Sequence, residues 1–184
     1  MDKIIRLSYQ HQLDDYDIRK ITNNEAKIML YKDLVEYDSV IDAVGPTNQL
    51  ILLLPTHADN SVGHWIAILY YPSDRTIEHF DSYALSPTAE IGYTTNRYVK
   101  EKLPNDLYTR AMLDGCRVVV NQHRLQRMTD GINDCGRFCA LRCRFYYLRN
   151  EQFCSLFLNQ MMSPDWLATC LTFLYTNDDV DEEQ

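Results

Sequence analysis

The chain has 184 residues, enough for one domain of ordinary size around a buried core. Apolar residues make up 46% and charged residues 24%, a globular balance that excludes a collagen or a disordered chain. The net charge is −8 and argues against non-specific nucleic-acid binding; residues 97–149 are net basic, whereas residues 150–184 carry no basic side chain.

The longest apolar run, Leu50 to Leu54, falls far short of the ~20 residues that span a bilayer. The first ten residues, MDKIIRLSYQ, show no apolar core of a signal sequence, so neither secretion nor membrane insertion is expected. We read residues 1–176 as a single domain and 177–184, rich in Asp and Glu, as a mobile tail.

In chain order, residues 22–31 read as a short helix behind a Thr/Asn cap. Gln49 to Leu54 reads as a buried strand. His64 to Tyr70 and Thr76 to Asp81 read as two strands of a hairpin joined by YPSDR. Ser86-Pro87 is a cap followed by a proline at the first helical position and predicts a helix to about Lys102. Arg117 to Asn121 reads as a further strand. From Cys135 the period turns helical, with Phe138, Leu141, Phe145 and Leu148 on one face widened by Cys139 and Cys143. Helices over about 150–161 and 164–176 follow. The pattern predicts an α+β fold in which a central mixed sheet packs on a buried helix.

The six cysteines, Cys116, Cys135, Cys139, Cys143, Cys154 and Cys170, fall mostly in helix-like stretches, as expected of reduced thiols in a reducing compartment. They contain no CxxC pair and no histidine at zinc-finger spacing, so no metal is expected. Cys135 stands where a loop becomes a helix. A thiol there meets the positive end of the helix dipole and unpaired backbone N–H groups. Gly136 beside it would let a substrate backbone approach. His64 opens an apolar strand, and Asp81 ends the neighbouring one seventeen positions later. In an antiparallel hairpin both side chains reach one sheet end. Thiol, imidazole and carboxylate are the ingredients of a nucleophilic site. His57, His79 and His123 join no such pattern and read as surface or edge histidines, and Asp134 reads as a turn residue.

GHWIAI, then FDSY, then an upstream Gln and DCGRFC resemble the Ulp/SENP ubiquitin-like proteases and the adenovirus-type maturation proteases. The order His, Asp, Gln, Cys is that superfamily's, and the wording of DCGRFCALR is most similar to the maturation proteases of virophages and Polinton-type viruses. The resemblance covers about residues 28–147. It implies Cys135 as nucleophile, His64 as general base and acid, Asp81 as its orienter, and a Gln amide as oxyanion donor. It also implies Trp65 as a wall of a narrow substrate groove. The family places its Gln six or seven residues before the Cys, where this chain has Thr129 and Met128. Gln126 lies nine before and Gln122 thirteen before; we take Gln126, with a two-residue insertion in the loop.

The resemblance further implies a protein substrate, a viral capsid or precursor protein cut during particle maturation in the virion or host cytoplasm. No cofactor is implied, and an activating peptide is an option the family uses. We expect a monomer. The rival readings are a deubiquitinase or deSUMOylase, a superfamily acetyltransferase, and a non-catalytic peptide-binding domain.

Overall fold

The computed structural model describes residues 11–56, 62–93 and 102–176. Helix α1, Asp15–Thr22, is capped by Asp14, whose carboxylate accepts from the Asp17 N–H at 2.9 Å. It stops at Asn23 and Asn24, both in the left-handed region with φ of 54° and 58°. Strand β1, Lys27–Leu30, follows, then a 3₁₀ turn at Tyr31–Glu36 and the short helix α2, Val40–Val44. Strands β2, Gln49–Pro55, β3, Gly63–Tyr71, and β4, Thr76–Phe80, come next. Helix α3, Pro87–Glu90, and a 3₁₀ turn at Ile91–Tyr93 follow the sheet strands. A wide helical turn at Lys102–Leu107 runs into α4, Tyr108–Leu113. Strand β5, Arg117–Val120, precedes α5, Cys135–Arg144, α6, Asn150–Leu158, and α7, Pro164–Thr176.

The five strands form one mixed sheet in the order β1-β2-β3-β4-β5. The two outer pairings are parallel and the two inner ones antiparallel. The fold is therefore α+β, as the sequence pattern predicts. Alternation along β3 divides the core. Trp65, Ala67 and Leu69 face α1, α5, α6 and α7, while Ile66, Ile68 and Tyr70 face α2 and α4.

Two helix predictions need correction. Residues 22–31 are not a helix: the helix ends at Thr22, and Lys27–Leu30 is an edge strand paired with Leu50–Leu53. Its four apolar-rich residues are too few to separate the helical from the strand period. The helix opened by Ser86-Pro87 gives way to the 3₁₀ turn after Glu90. The rest of that reading, residues 94–101, lies outside the described residues, as do the 177–184 tail and His57.

Helix α5 is the centre of the larger core. Residues Cys135 to Cys143 along it are all buried, and Phe138 meets Phe157 edge-on at 5.4 Å. Arg142 fixes the helix to β4. Its Nε donates to Glu78 Oε1 at 2.7 Å, and Nη2 donates to Glu78 Oε2 and to the Leu148 carbonyl, both at 2.9 Å. Removing one partner of such a buried pair costs about 3–5 kcal/mol, because the other charge is left without compensation. The ion pair thus fixes the helix against the strand that leads into Asp81.

Candidate active site

Gly63 opens β3, opposite Pro55. A Cβ there would overlap the Leu54 carbonyl oxygen, so only glycine lets the two strands close at this end. The next residue, His64, leaves the sheet with its side chain 14% exposed. Asp81 follows the last residue of β4, and its side chain is fully buried. The hairpin register brings the two together, with His64 Nε2 at 2.9 Å from Asp81 Oδ1.

Asp81 is itself held. Its Oδ1 accepts from the Tyr83 N–H at 2.8 Å, and Oδ2 from the Leu85 N–H at 3.3 Å. The Asn121 amide donates to its backbone carbonyl at 2.7 Å. The Tyr83 ring stacks on His64 with centroids 5.0 Å apart. Burial pushes the Asp81 carboxyl up, but the hydrogen bond and charge of His64 and the Tyr83 N–H bring it below the ordinary carboxylate value. Burial likewise works against a charged His64. Hydrogen bonds to Asp81 and to Cys135 outweigh it, and the ring keeps its proton well above the ordinary histidine value. Because Nε2 faces Asp81, Nδ1 is left for the sulfur.

Cys135 is the first residue of α5. The first backbone bond of the helix runs from the Phe138 N–H to the Asp134 carbonyl. The N–H groups of the first turn therefore have no partner within the helix. Cys135 and His64 line a cavity of about 480 Å³, together with Gln126, Met128, Thr129 and Asn133.

Gln126 is 1% exposed. Its Oε1 accepts from the Ser82 hydroxyl at 2.8 Å and its Nε2 donates to the Ile132 carbonyl at 3.2 Å. The Leu125 and Gln126 N–H groups both donate to the Ser82 carbonyl. Residues 127–131 bulge outward between these anchors and are exposed. Gln122 stands apart: it is exposed and donates only to the nearby Val120 carbonyl, at 3.1 Å. The geometry thus groups His64, Asp81, Cys135 and Gln126.

Trp65 and Gly136 do not join that cavity. Gly136 faces inward, where a Cβ would sit 3.1 Å from Trp65 Cδ1 and 3.3 Å from Leu13 Cβ. A Cβ at 136 would therefore crowd the packing beneath the site, and a role of Gly136 toward substrate stays a proposal. Trp65 is buried in the core and lines a second cavity of about 490 Å³. Gln12, which donates to the Gly63 carbonyl at 3.4 Å, lines both cavities.

The structure also places the other residues singled out in the sequence, changing the readings of His79 and Asp134 and keeping those of His123, Cys139 and Cys143. His79 is neither a surface nor an edge histidine: it is fully buried, with Nε2 at 2.7 Å from Glu90 Oε1 and Nδ1 at 2.8 Å from the Tyr108 hydroxyl. His123 is part-exposed and pairs with Glu151 at 2.8 Å. Asp134 is a buried anchor, 3.1 Å from Arg137 Nε and accepting from the Thr169 hydroxyl at 3.4 Å; burial pushes its carboxyl up to about 7. Cys139 and Cys143 pack in the core, where burial pushes the Cys143 thiol up to about 12. The links from Ser82 to Gln126 and from Arg127 to Asp165 join residues far apart in the chain, and no local motif announces them.

No helix among the described residues is long and apolar enough to cross a membrane. No protein-family model matches the chain. It is similar to "Uncharacterized protein V9" of Sputnik virophage, 30% identical over 169 residues, which cover 87% of this chain and 93% of the relative. Identity of that extent along nearly the whole of both chains is a relationship of common descent, and this chain belongs to the same virophage protein family as protein V9.

Proposed function

We propose that the chain is a cysteine endopeptidase that cuts a viral capsid or precursor protein. One observation carries the reading: a single imidazole, His64, lies 2.9 Å from the buried Asp81 carboxylate and lines one cavity with Cys135. The Gln126 amide lines the same cavity.

Cys135 attacks the scissile carbonyl from the first turn of α5. The developing oxyanion is held by the Gln126 amide and the Cys135 backbone N–H. His64 gives its proton to the leaving amine, and the acyl group stays on sulfur. His64 then takes a proton from water, the hydroxide attacks the thioester, and Cys135 is released. Asp81 holds the ring in one tautomer and stabilises its cation without taking the proton. The kinship with a virophage protein supports a viral precursor as the substrate. The resemblance of GHWIAI, FDSY and DCGRFC to Ulp/SENP and adenovirus-type proteases supports peptide-bond cleavage, and favours a Gly-containing segment just before the cut.

The test is incubation of the purified protein with virophage capsid proteins and with ubiquitin- and SUMO-derived substrates. We expect discrete capsid fragments whose new C-termini, read by mass spectrometry, follow Gly-containing segments. Cys135→Ala should abolish the fragments and keep the fold, since it removes the attacking atom and little volume. Fragments that persist at full rate in that variant would overturn the mechanism. Cleavage of the ubiquitin or SUMO substrates alone would replace the substrate class.

A further inference from the structure

Asp81 and Ser82 are consecutive, and each holds a different arm of the site. The Asp81 carboxylate turns to the His64 ring, and the Ser82 hydroxyl, fully buried, turns to Gln126. The turn that carries them is tied to the segment bearing Gln126 at several points. The Asn121 amide donates to the Asp81 carbonyl at 2.7 Å and to the His123 carbonyl at 2.9 Å. The Ser82 carbonyl accepts from the Leu125 N–H at 2.9 Å and from the Gln126 N–H at 3.0 Å.

The direction of the remaining link, between the Ser82 hydroxyl and the Gln126 side chain, follows from the groups around it. The Ile132 carbonyl can only accept, so the end of the amide 3.2 Å from it is Nε2. Oε1 then lies on the Ser82 side, and a carbonyl oxygen cannot donate. The hydroxyl is therefore the donor, at 2.8 Å. A reversed amide would set Oε1 against the Ile132 carbonyl, acceptor against acceptor. Held at both ends, the amide plane keeps one orientation, and the second Nε2 hydrogen keeps one direction in the cavity that Gln126 and Cys135 line.

We propose that Ser82 is a positioning residue of this site: its hydroxyl fixes the Gln126 amide so that Nε2 meets the oxyanion formed at Cys135. The proposal deepens the protease reading and rests on it for its catalytic meaning. One dipeptide then sets both the imidazole and the oxyanion donor. Their spacing is governed by a single peptide unit and not by the exposed loop over 127–131. An oxyanion donor acts through being preorganised, and a tether at its far end supplies that.

Ser82→Ala tests this cleanly, because it leaves the Ser82 carbonyl and both of its bonds in place. The Gln126 backbone stays where it is, and only the Oε1 end of the side chain is released.

The experiment has two arms. Without substrate, NMR relaxation of the side-chain amides in glutamine-labelled protein reads the order of Gln126. In the parent this amide should be as ordered as the backbone around it. In Ser82→Ala it should become mobile, approaching the exposed Gln122 amide. Ser82→Cys, a weaker donor of similar size, should fall between the two and serves if the alanine variant does not fold. With substrate, single-turnover acylation by Ser82→Ala should slow by roughly 10–100-fold, as a misplaced catalytic group does. The half-saturating substrate concentration and the pH profile should hold, since Asp81 keeps its own bonds. In a Gln126→Ala background the same change should add no more than about twofold, because the hydroxyl acts through the amide. A Gln126 amide that stays as ordered in folded Ser82→Ala as in the parent overturns the proposal. So does a Ser82 effect on the rate that persists in full without Gln126. Order lost in Ser82→Ala, with no substrate cut even by the parent, would instead sink the protease reading and leave the tether intact.

Discussion

Replacing Gln126 by alanine separates two jobs, the oxyanion role proposed for the side chain and the structural one its contacts show. One is chemical. An amide Nε2 carries two hydrogens, and the Ile132 carbonyl takes one of them at 3.2 Å. The second is left for the cavity that holds Cys135. Loss of one preorganised oxyanion donor lowers the catalytic rate by roughly 10²–10³, or about 2.7–4 kcal/mol of transition-state stabilisation. The other job is structural. The alanine variant leaves the Ser82 hydroxyl and the Ile132 carbonyl without this partner. A buried polar group stripped of its partner costs about 1–3 kcal/mol. The hydroxyl can rotate and the carbonyl borders a cavity that admits water, so a total on the order of 2 kcal/mol is expected. Urea unfolding measures the second effect, and single-turnover acylation of the folded protein measures the first. Gln122→Ala supplies the contrast: an exposed side chain with one local contact should change stability by no more than about 0.5 kcal/mol and leave the rate alone. If Gln122→Ala slows acylation and Gln126→Ala does not, the oxyanion assignment is wrong. If Gln126→Ala loses stability at full rate, the residue is only a brace for its loop.

Asp81→Asn keeps an acceptor for the N–H groups of the turn and removes the charge facing His64. His64 is raised in the folded protein, so its contribution to stability is present at low pH and disappears as pH rises through the folded value; Asp81 is lowered, so its contribution is lost as pH falls through its folded value. The variant should therefore lose stability mainly between these limits, and its kcat/KM profile should lose its alkaline limb at lower pH than the parent; an unchanged profile would remove Asp81 from the site. Gly136→Ala sets a Cβ against Trp65 and Leu13 and should cost about 1–3 kcal/mol in denaturant unfolding with KM unchanged. A stable variant with a raised KM would return Gly136 to the substrate groove.

The parts of the site written in local sequence are the ones a sequence reading finds. His64 opens an apolar strand after a glycine, Asp81 closes its hairpin partner, and Cys135 begins a helix whose apolar period starts at once. The Gln126 spacing is harder to read, because the exposed bulge over 127–131 adds length without separating its ends. Gly136 is ambiguous in the sequence because small size serves a packed interior as well as an open groove. His79 and Glu90 escape because ten residues and a turn separate them, and neither sits in a repeating pattern. The edge strand β1 escapes because its pairing with β2 is a tertiary choice that a four-residue run does not encode.

Helix α7 contributes no residue to the proposed chemistry, yet both ends of the loop between Gln126 and Cys135 are moored to it. Asp165 takes the Arg127 N–H at 3.2 Å and its Nε at 2.8 Å; Thr169 reaches Asp134, and Arg137 donates to the Thr172 hydroxyl at 2.6 Å. During vectorial synthesis the four proposed site residues all leave the ribosome before this helix exists. A nascent chain that stops short of residue 164 holds thiol, imidazole, carboxylate and amide while lacking the berth that sets the last of them over the first. Competence for the proposed cleavage thus arrives after its side chains have been translated, and the order of the chain itself delays it.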